Sequence, residues 1–257
     1  MGGTASSLRP RPPDAALSGG VAPRVQLRLL NMFEVLSDGV AVSLPLGAQR
    51  LIAFVALHER PVQRAYVAGM LWLDTPDARA AANLRSMLWR IQKRTPGLID
   101  TRGHGLRLAQ EVAVDLRVAE RLARLELDGD ADDGGTRDPS PFAADLLPDW
   151  YDDWVLLERE RFRQLRLRAL EVLCERRLRS GQINEALEAG LLSLAGEPLR
   201  ESAHRALVRV HLAEGNVVEA LRQYRLCRRL LREQLGIEPT DQMRDLVRGL
   251  DGMETNR

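Results

Sequence analysis

Residues 47–94, GAQRLIAFVALHERPVQRAYVAGMLWLDTPDARAAANLRSMLWRIQKR, hold three helical patterns separated by two breaks. Leu51, Ile52, Val55 and Leu57 recur at the spacing of a helix buried on one side, which predicts a first helix over 47–58. Arg60-Pro61-Val62 ends it, because proline has no N–H to continue the hydrogen-bond ladder. A second helix is expected over 63–72, with Tyr66, Val67, Met70 and Leu71 turned inward. Leu73-Asp74-Thr75-Pro76-Asp77 reads as a loop closing on a helix-start signal. A third helix then runs from Asp77 to Thr95, where Pro96-Gly97 stops it.

Working outward, residues 25–44 alternate as strands do, with Ser37-Asp38-Gly39 supplying turn chemistry between them. On the other side, LIDTR (98–102) and LRLAQEVAVDL (106–116) read as two strand runs joined by Gly103-His104-Gly105. Sheet, three helices and hairpin, in that order, make a winged helix-turn-helix with an N-terminal sheet. The fold class expected is therefore mainly α with a small β component: a winged helix-turn-helix domain followed by an all-α, tetratricopeptide-like domain.

The second domain announces itself by self-similarity. Ala169, Leu173, Leu178, Gly181, Glu185, Ala186 and Leu187 recur 34 positions later as Ala203, Leu207, Leu212, Gly215, Glu219, Ala220 and Leu221. That period is the length of a tetratricopeptide unit, a helix–turn–helix pair. The glycines turn the chain between paired helices, the alanines allow close approach, and Pro198 ends the first unit. Two repeats cannot cover their own faces, so the helices around 154–178 and 240–250 are expected to cap the stack. Such a stack can serve as a concave binding surface, or as a spacer or dimerisation block.

The expected division is a disordered leader over 1–23, a DNA-binding winged helix over 24–114, and a helical domain over 115–257. A further helix at about 115–127 leads into the second domain, and residues 128–141, acidic and rich in Gly and Pro, form a flexible loop. Charge divides with them. Residues 24–108 carry twelve Arg or Lys against six Asp or Glu, a net of +6. Residues 109–257 carry 23 against 29, a net of −6. A chain with one basic half and an overall charge of +1 is a candidate for nucleic-acid binding through that half. No apolar run of membrane-spanning length is present, and the first 23 residues lack the apolar centre of a secretory signal, so a cytoplasmic protein without a membrane partner is expected. Cys174 and Cys227 read as buried small hydrophobes in a reducing compartment.

On the third helix Leu84, Leu88 and Ile91 form the core stripe, with Met87 beside it. The opposite side carries Arg79, Asn83, Ser86, Arg90 and Lys93, with Arg85 and Arg94 on the flanks. A helix fits the major groove of double-stranded DNA, where Arg pairs with guanine and Asn with adenine through two hydrogen bonds each. Arg79, Asn83 and Ser86 lie toward the N-terminal half, which reaches base edges in this motif, whereas Lys93 and Arg94 are placed for phosphates. Arg102 and His104 at the hairpin are candidates for the minor groove or backbone, and His104 reads equally as a turn residue. Gln49, Arg50 and Arg64, near helix starts, are candidate phosphate donors. Trp89 falls off the core stripe, and the sequence leaves open whether it packs on another element or faces the partner.

Enzyme chemistry finds no footing. His58, His104, His204 and His211 have no metal-ligand spacing, no phosphate-cradling glycine loop is present, and no cofactor is implied. Asp152 and Asp153 are explained by a helix start, where the dipole favours acids, and Trp150, Tyr151 and Trp154 are expected as core anchors joining the two domains.

VQLRLLNMFEVLSDGVAVSLP (25–45), GAQRLIAFVALHERPVQRAYVAGMLW (47–72) and AAANLRSMLWRIQKR (80–94) resemble the DNA-binding domain of the antibiotic regulatory proteins of actinobacteria, which have the winged helix of transcriptional response regulators. LLPDWYDDWVLLERERFRQLRLRALEVL (146–173) and LREQLGIEPTDQMRDLV (231–247) resemble the bacterial transcriptional activation domain that follows it, WYDDW being the most specific piece. The resemblance implies an activator that binds direct repeats at promoters, as a dimer on DNA. It further implies recruitment of RNA polymerase, often through its sigma factor, for a secondary-metabolite or other pathway operon. Larger relatives carry an ATPase domain; the chain holds no GxxxxGK[ST] and resembles the small members. The competing reading is a tetratricopeptide-like adaptor or ligand sensor whose winged helix no longer binds DNA. An adaptor has no reason to keep the Arg79–Lys93 face basic.

Overall fold

The computed structural model describes residues 24–101, 105–129 and 138–250. The leader and the centre of the acidic loop, on which two of the expectations above fall, lie outside the described residues.

Strands β1 (Val25–Arg28), β2 (Glu34–Ser37) and β3 (Val40–Ala41) form an antiparallel meander. The β2–β3 turn has Asp38 at φ 49° and Gly39 at φ 80°. Two successive positive values give the primed turn whose twist matches the strands. Helix α1 (Leu46–Ala56) follows, then β4 (Val62–Gln63), α2 (Arg64–Leu71) and α3 (Asp77–Arg94). The three helices lie where the apolar spacing places them, each within two residues at either end. Pro61 holds the preceding Arg60 out of the helical region, and the short strand before α2 is set by pairing, Val62 with Leu106 and Gln63 with Gly105. Gly105 is needed at that crossing, since a Cβ there would sit 2.8 Å from Cβ of Pro61.

The second hairpin departs from the expected plan. Strands β5 (Ile99–Asp100) and β6 (Gly105–Leu108) pair with each other and with β4, giving a three-stranded wing sheet in the order β4-β6-β5. The third piece, β7 (Ala113–Val114), leaves the wing and runs parallel to β1 at the edge of the first sheet. A turn at Gln110-Glu111 separates the two runs. Asp115, which follows β7, fixes the transfer: its carboxylate accepts N–H bonds from Leu29 at 2.9 Å and Leu30 at 3.1 Å.

Helix α4 (Asp115–Leu127) leads through the one-turn α5 (Ser140–Ala143) to α6 (Asp153–Arg179), α7 (Ile183–Gly196), α8 (Glu201–Ala213), α9 (Val217–Leu235) and α10 (Asp241–Val247). The 34-residue repeat is written in the backbone. Gln182 N–H donates to the Arg177 carbonyl at 2.9 Å, and Asn216 N–H to that of His211 at 2.8 Å. Gly181 and Gly215 turn the chain at φ 75° and 80°. The paired positions Ala169/Ala203 and Ala186/Ala220 are fully buried, where a larger side chain would push the helices apart. Arg209 pairs with Glu175 at 2.7 Å across equivalent positions of successive repeats.

The core around Leu51, Ile52 and Phe54 of α1 does not stop at the winged helix: it takes in Leu146, Leu147, Trp154, Val155 and Phe162. Trp154 packs edge-on to Phe54 at 5.1 Å and to Trp150 at 6.3 Å, while Trp150 stacks on Phe33 at 5.7 Å. Two tyrosines depart from their expected place. Tyr151 is 79% exposed and Tyr66 is 51% exposed, although the Tyr66 ring centroid lies 6.0 Å from that of Phe54. A phenol keeps its hydroxyl in water at little cost, so tyrosine follows an apolar spacing loosely.

Candidate nucleic-acid interface

Helix α3 is placed by its buried stripe. Ala80, Leu84 and Ile91 are at most 3% exposed, and Leu88 and Met87 are half-buried against the same core. Thr95 closes the helix by donating its hydroxyl to the Ile91 carbonyl at 3.1 Å. The side away from the core is left to solvent. Arg79, Ser86, Arg90, Lys93 and Arg94 are exposed, and Asn83 is half-buried between them. At about 1.5 Å of rise per residue, the row from Arg79 to Lys93 extends about 21 Å, roughly four turns of α-helix.

Charge pairing separates this helix from the rest of the molecule. Among the described residues, Arg79, Arg85, Arg90 and Arg94 have no carboxylate partner, and Lys93 has only the ring of Trp89, with Nζ 5.1 Å from its centroid. In the helical half most arginines are neutralised. Arg163 is held between Glu160 (2.8 Å) and Glu197 (2.5 Å), and Arg200 by Glu171 at 2.5 Å. Arg176 pairs with the fully buried Glu126 at 2.9 Å. A row of unpaired cations holds a positive potential that paired ones cancel.

The remaining candidate residues divide. Arg64 stands at the first position of α2, and its guanidinium donates to the Thr101 carbonyl on the wing at 3.1 Å. That places it beside Arg85 along a cleft between α3 and the wing. Arg50 is drawn the other way, donating to the Leu71 carbonyl at 3.3 Å and forming an ion pair with Asp152. Gln49 donates to the Leu44 carbonyl at 2.8 Å. Both therefore hold the winged helix together and stand apart from the α3 row. Arg102 and His104 lie outside the described residues. Trp89, left open by the sequence, is 63% exposed on the flank of α3 that faces the wing. Gln92 and Thr101 line the same cleft and carry no sequence signal of their own. Arg107 on β6 is neutralised by Asp100 at 3.0 Å.

Elsewhere the chemistry is structural. Burial pushes the Cys174 and Cys227 thiols up to about 12, so both stay protonated and unreactive. Among the described residues no group of His, Cys, Asp or Glu is placed to hold a metal ion, and no helix is long and apolar enough to cross a membrane.

The comparisons with known proteins fall on this arrangement. Residues 140–250 match the model of the bacterial transcriptional activator domain. Regulatory protein AfsR of Streptomyces coelicolor is 29% identical over 226 residues, which cover 81% of this chain. AfsR of Streptomyces griseus is 26% identical over 228 residues, covering 83%. The chain spans 22% of the length of each of these relatives. Among solved structures, Mycobacterium tuberculosis EmbR, in complex with a low affinity phosphopeptide, matches with a TM-score of 0.73 at 19% identity. That likeness, over 90% of this chain and 65% of that one, shows a common fold. Residues 140–250 thus resemble a bacterial transcriptional activator domain, and the chain over most of its length is similar to the two Streptomyces regulatory proteins.

Proposed function

We propose that this protein is a cytoplasmic, sequence-specific transcription activator that docks α3 in the major groove of double-stranded DNA. The observation that carries the reading is the row of exposed cations on α3 that have no carboxylate partner among the described residues, where most other arginines are neutralised. Arg79, Asn83 and Ser86 would read base edges, with Arg85 and Arg90 beside them, and Lys93, Arg94 and Arg64 would hold phosphates. The winged helix of residues 24–114 binds direct repeats near a promoter as a dimer on DNA. The helical domain of residues 115–257 recruits RNA polymerase through its sigma factor, for a secondary-metabolite or other pathway operon. The match to the bacterial transcriptional activator domain and the similarity to the two Streptomyces regulators support these roles, and neither needs a cofactor or a reaction.

Gel retardation with the gene's own upstream region tests the reading. Wild type is expected to retard that duplex in preference to an unrelated one at moderate salt. Arg79→Ala and Asn83→Ala are each expected to lose about 1–3 kcal/mol at one base position of the site. A wild type without preference contradicts the proposal.

A further inference from the structure

The α3 residues that line the wing-side cleft form a second row, Arg85, Trp89 and Gln92, at four- and three-residue spacing alongside the groove-reading row. Across the cleft stand Arg64 and Thr101, and Ile99 is buried in its floor. The cavity measures about 380 Å³. Among the described residues its lining supplies two guanidinium groups, the indole N–H, an amide and a hydroxyl, and no carboxylate. Arg64 is held in place by the Thr101 carbonyl at 3.1 Å, and Lys93 lies over the Trp89 ring.

We infer that this cleft is a clamp for one backbone phosphate of duplex DNA, with the Trp89 ring laid against the neighbouring deoxyribose. The inference rests on the DNA-binding reading and adds to it a residue that the sequence left without a role. Positive donors without a balancing acid select an anion. The exposed indole beside them selects an anion with apolar surface attached, which a sugar–phosphate strand offers and inorganic phosphate does not. Placement agrees: with α3 in the major groove and the wing at the adjacent minor groove, the strand dividing the two grooves must pass between them. Arg64 and Arg85 flank that path and Trp89 forms its edge.

Fluorescence anisotropy with two labelled duplexes, the upstream region and an unrelated sequence, over a salt series tests the clamp. Arg64→Ala and Arg85→Ala are each expected to lower the slope of log affinity against log salt by about one, on both duplexes. Trp89→Ala is expected to weaken both duplexes about tenfold with the slope retained, since it removes apolar contact and no charge. Binding is also expected to shift the tryptophan emission of wild type and not that of Trp89→Phe. The positions changed are exposed or half-buried, so unaltered melting temperatures would show the variants folded. Trp89→Ala binding both duplexes as wild type does overturns the clamp, as does a loss confined to the upstream duplex, which would make Trp89 a base contact. A wild type that binds both duplexes equally contradicts the sequence-specific reading alone, and leaves the clamp to be judged by the variants.

Discussion

Arg50 and Arg79 look alike in sequence, each an arginine beside a helix start in a basic domain, yet they have opposite surroundings. Arg50 is enclosed by the Leu71 carbonyl and Asp152, with 29% of its side chain exposed, whereas Arg79 faces water without a partner. The variants should separate accordingly. Arg50→Ala is expected to cost about 1–3 kcal/mol of stability, because it leaves a half-buried carboxylate unpaired, while the salt dependence of DNA binding stays as in wild type. Thermal melting and a salt series check the two halves of that statement. Arg94→Ala is expected to do the reverse: melting unchanged, affinity lower on every sequence, and a salt slope reduced by about one. Sequence spacing showed that the α3 row would be exposed, since residues opposite a buried stripe have nowhere else to go. It could not show that the charge of Arg50 is spent on Asp152, 102 positions away. Nor could it place Trp89, whose angle on α3 lies between the core and the exposed row.

At the scale of elements, local signals are legible in the sequence and distant pairings are not. Helices α1, α2 and α3 follow from apolar period and proline, both of which act within a few residues. Local pattern assigns β7 to the wing because its partner β1 lies about 87 positions upstream, beyond the reach of any local signal. The repeat was legible because the glycine turns and alanine contacts recur at one offset. Gly181→Ala and Gly215→Ala are therefore expected to be equally costly, about 1–2 kcal/mol each, as both force an L-residue into the left-handed region. Unequal losses in denaturant unfolding would contradict the equivalence of the two turns. His204 joins α8 to its neighbours, donating from Nε2 to the Pro198 carbonyl at 2.9 Å and accepting at Nδ1 from Gln223 at 2.6 Å. Burial lowers its pKa from the ordinary 6.5. The unfolded chain then takes up the proton first, so this contribution to stability is complete above about 6.5 and is lost as pH falls through the folded value. Melting followed from pH 8 to pH 5 is expected to fall more steeply for wild type than for His204→Gln; parallel curves would contradict the assignment.

For the whole molecule, the relevant fact is that the core beneath the winged helix is shared with the start of α6. Trp154, Val155 and Phe162 pack into the cluster built by Phe54 and Leu51. Trp154→Ala is expected to cost about 3–5 kcal/mol and to lower the proposed DNA affinity with it, although Trp154 lies outside the α3 row. A loss of stability that leaves the winged helix fully active would show the two parts to be uncoupled. The claim on which the rest depends is that α3 brings the protein to a defined sequence. Hydroxyl-radical footprinting of the gene's own upstream region measures this directly. Two protected tracts in the same orientation are predicted, spaced by about 10.5 base pairs or a multiple of it. Protection spread evenly along the duplex, at a concentration that retards it in a gel, would contradict sequence-specific docking of α3.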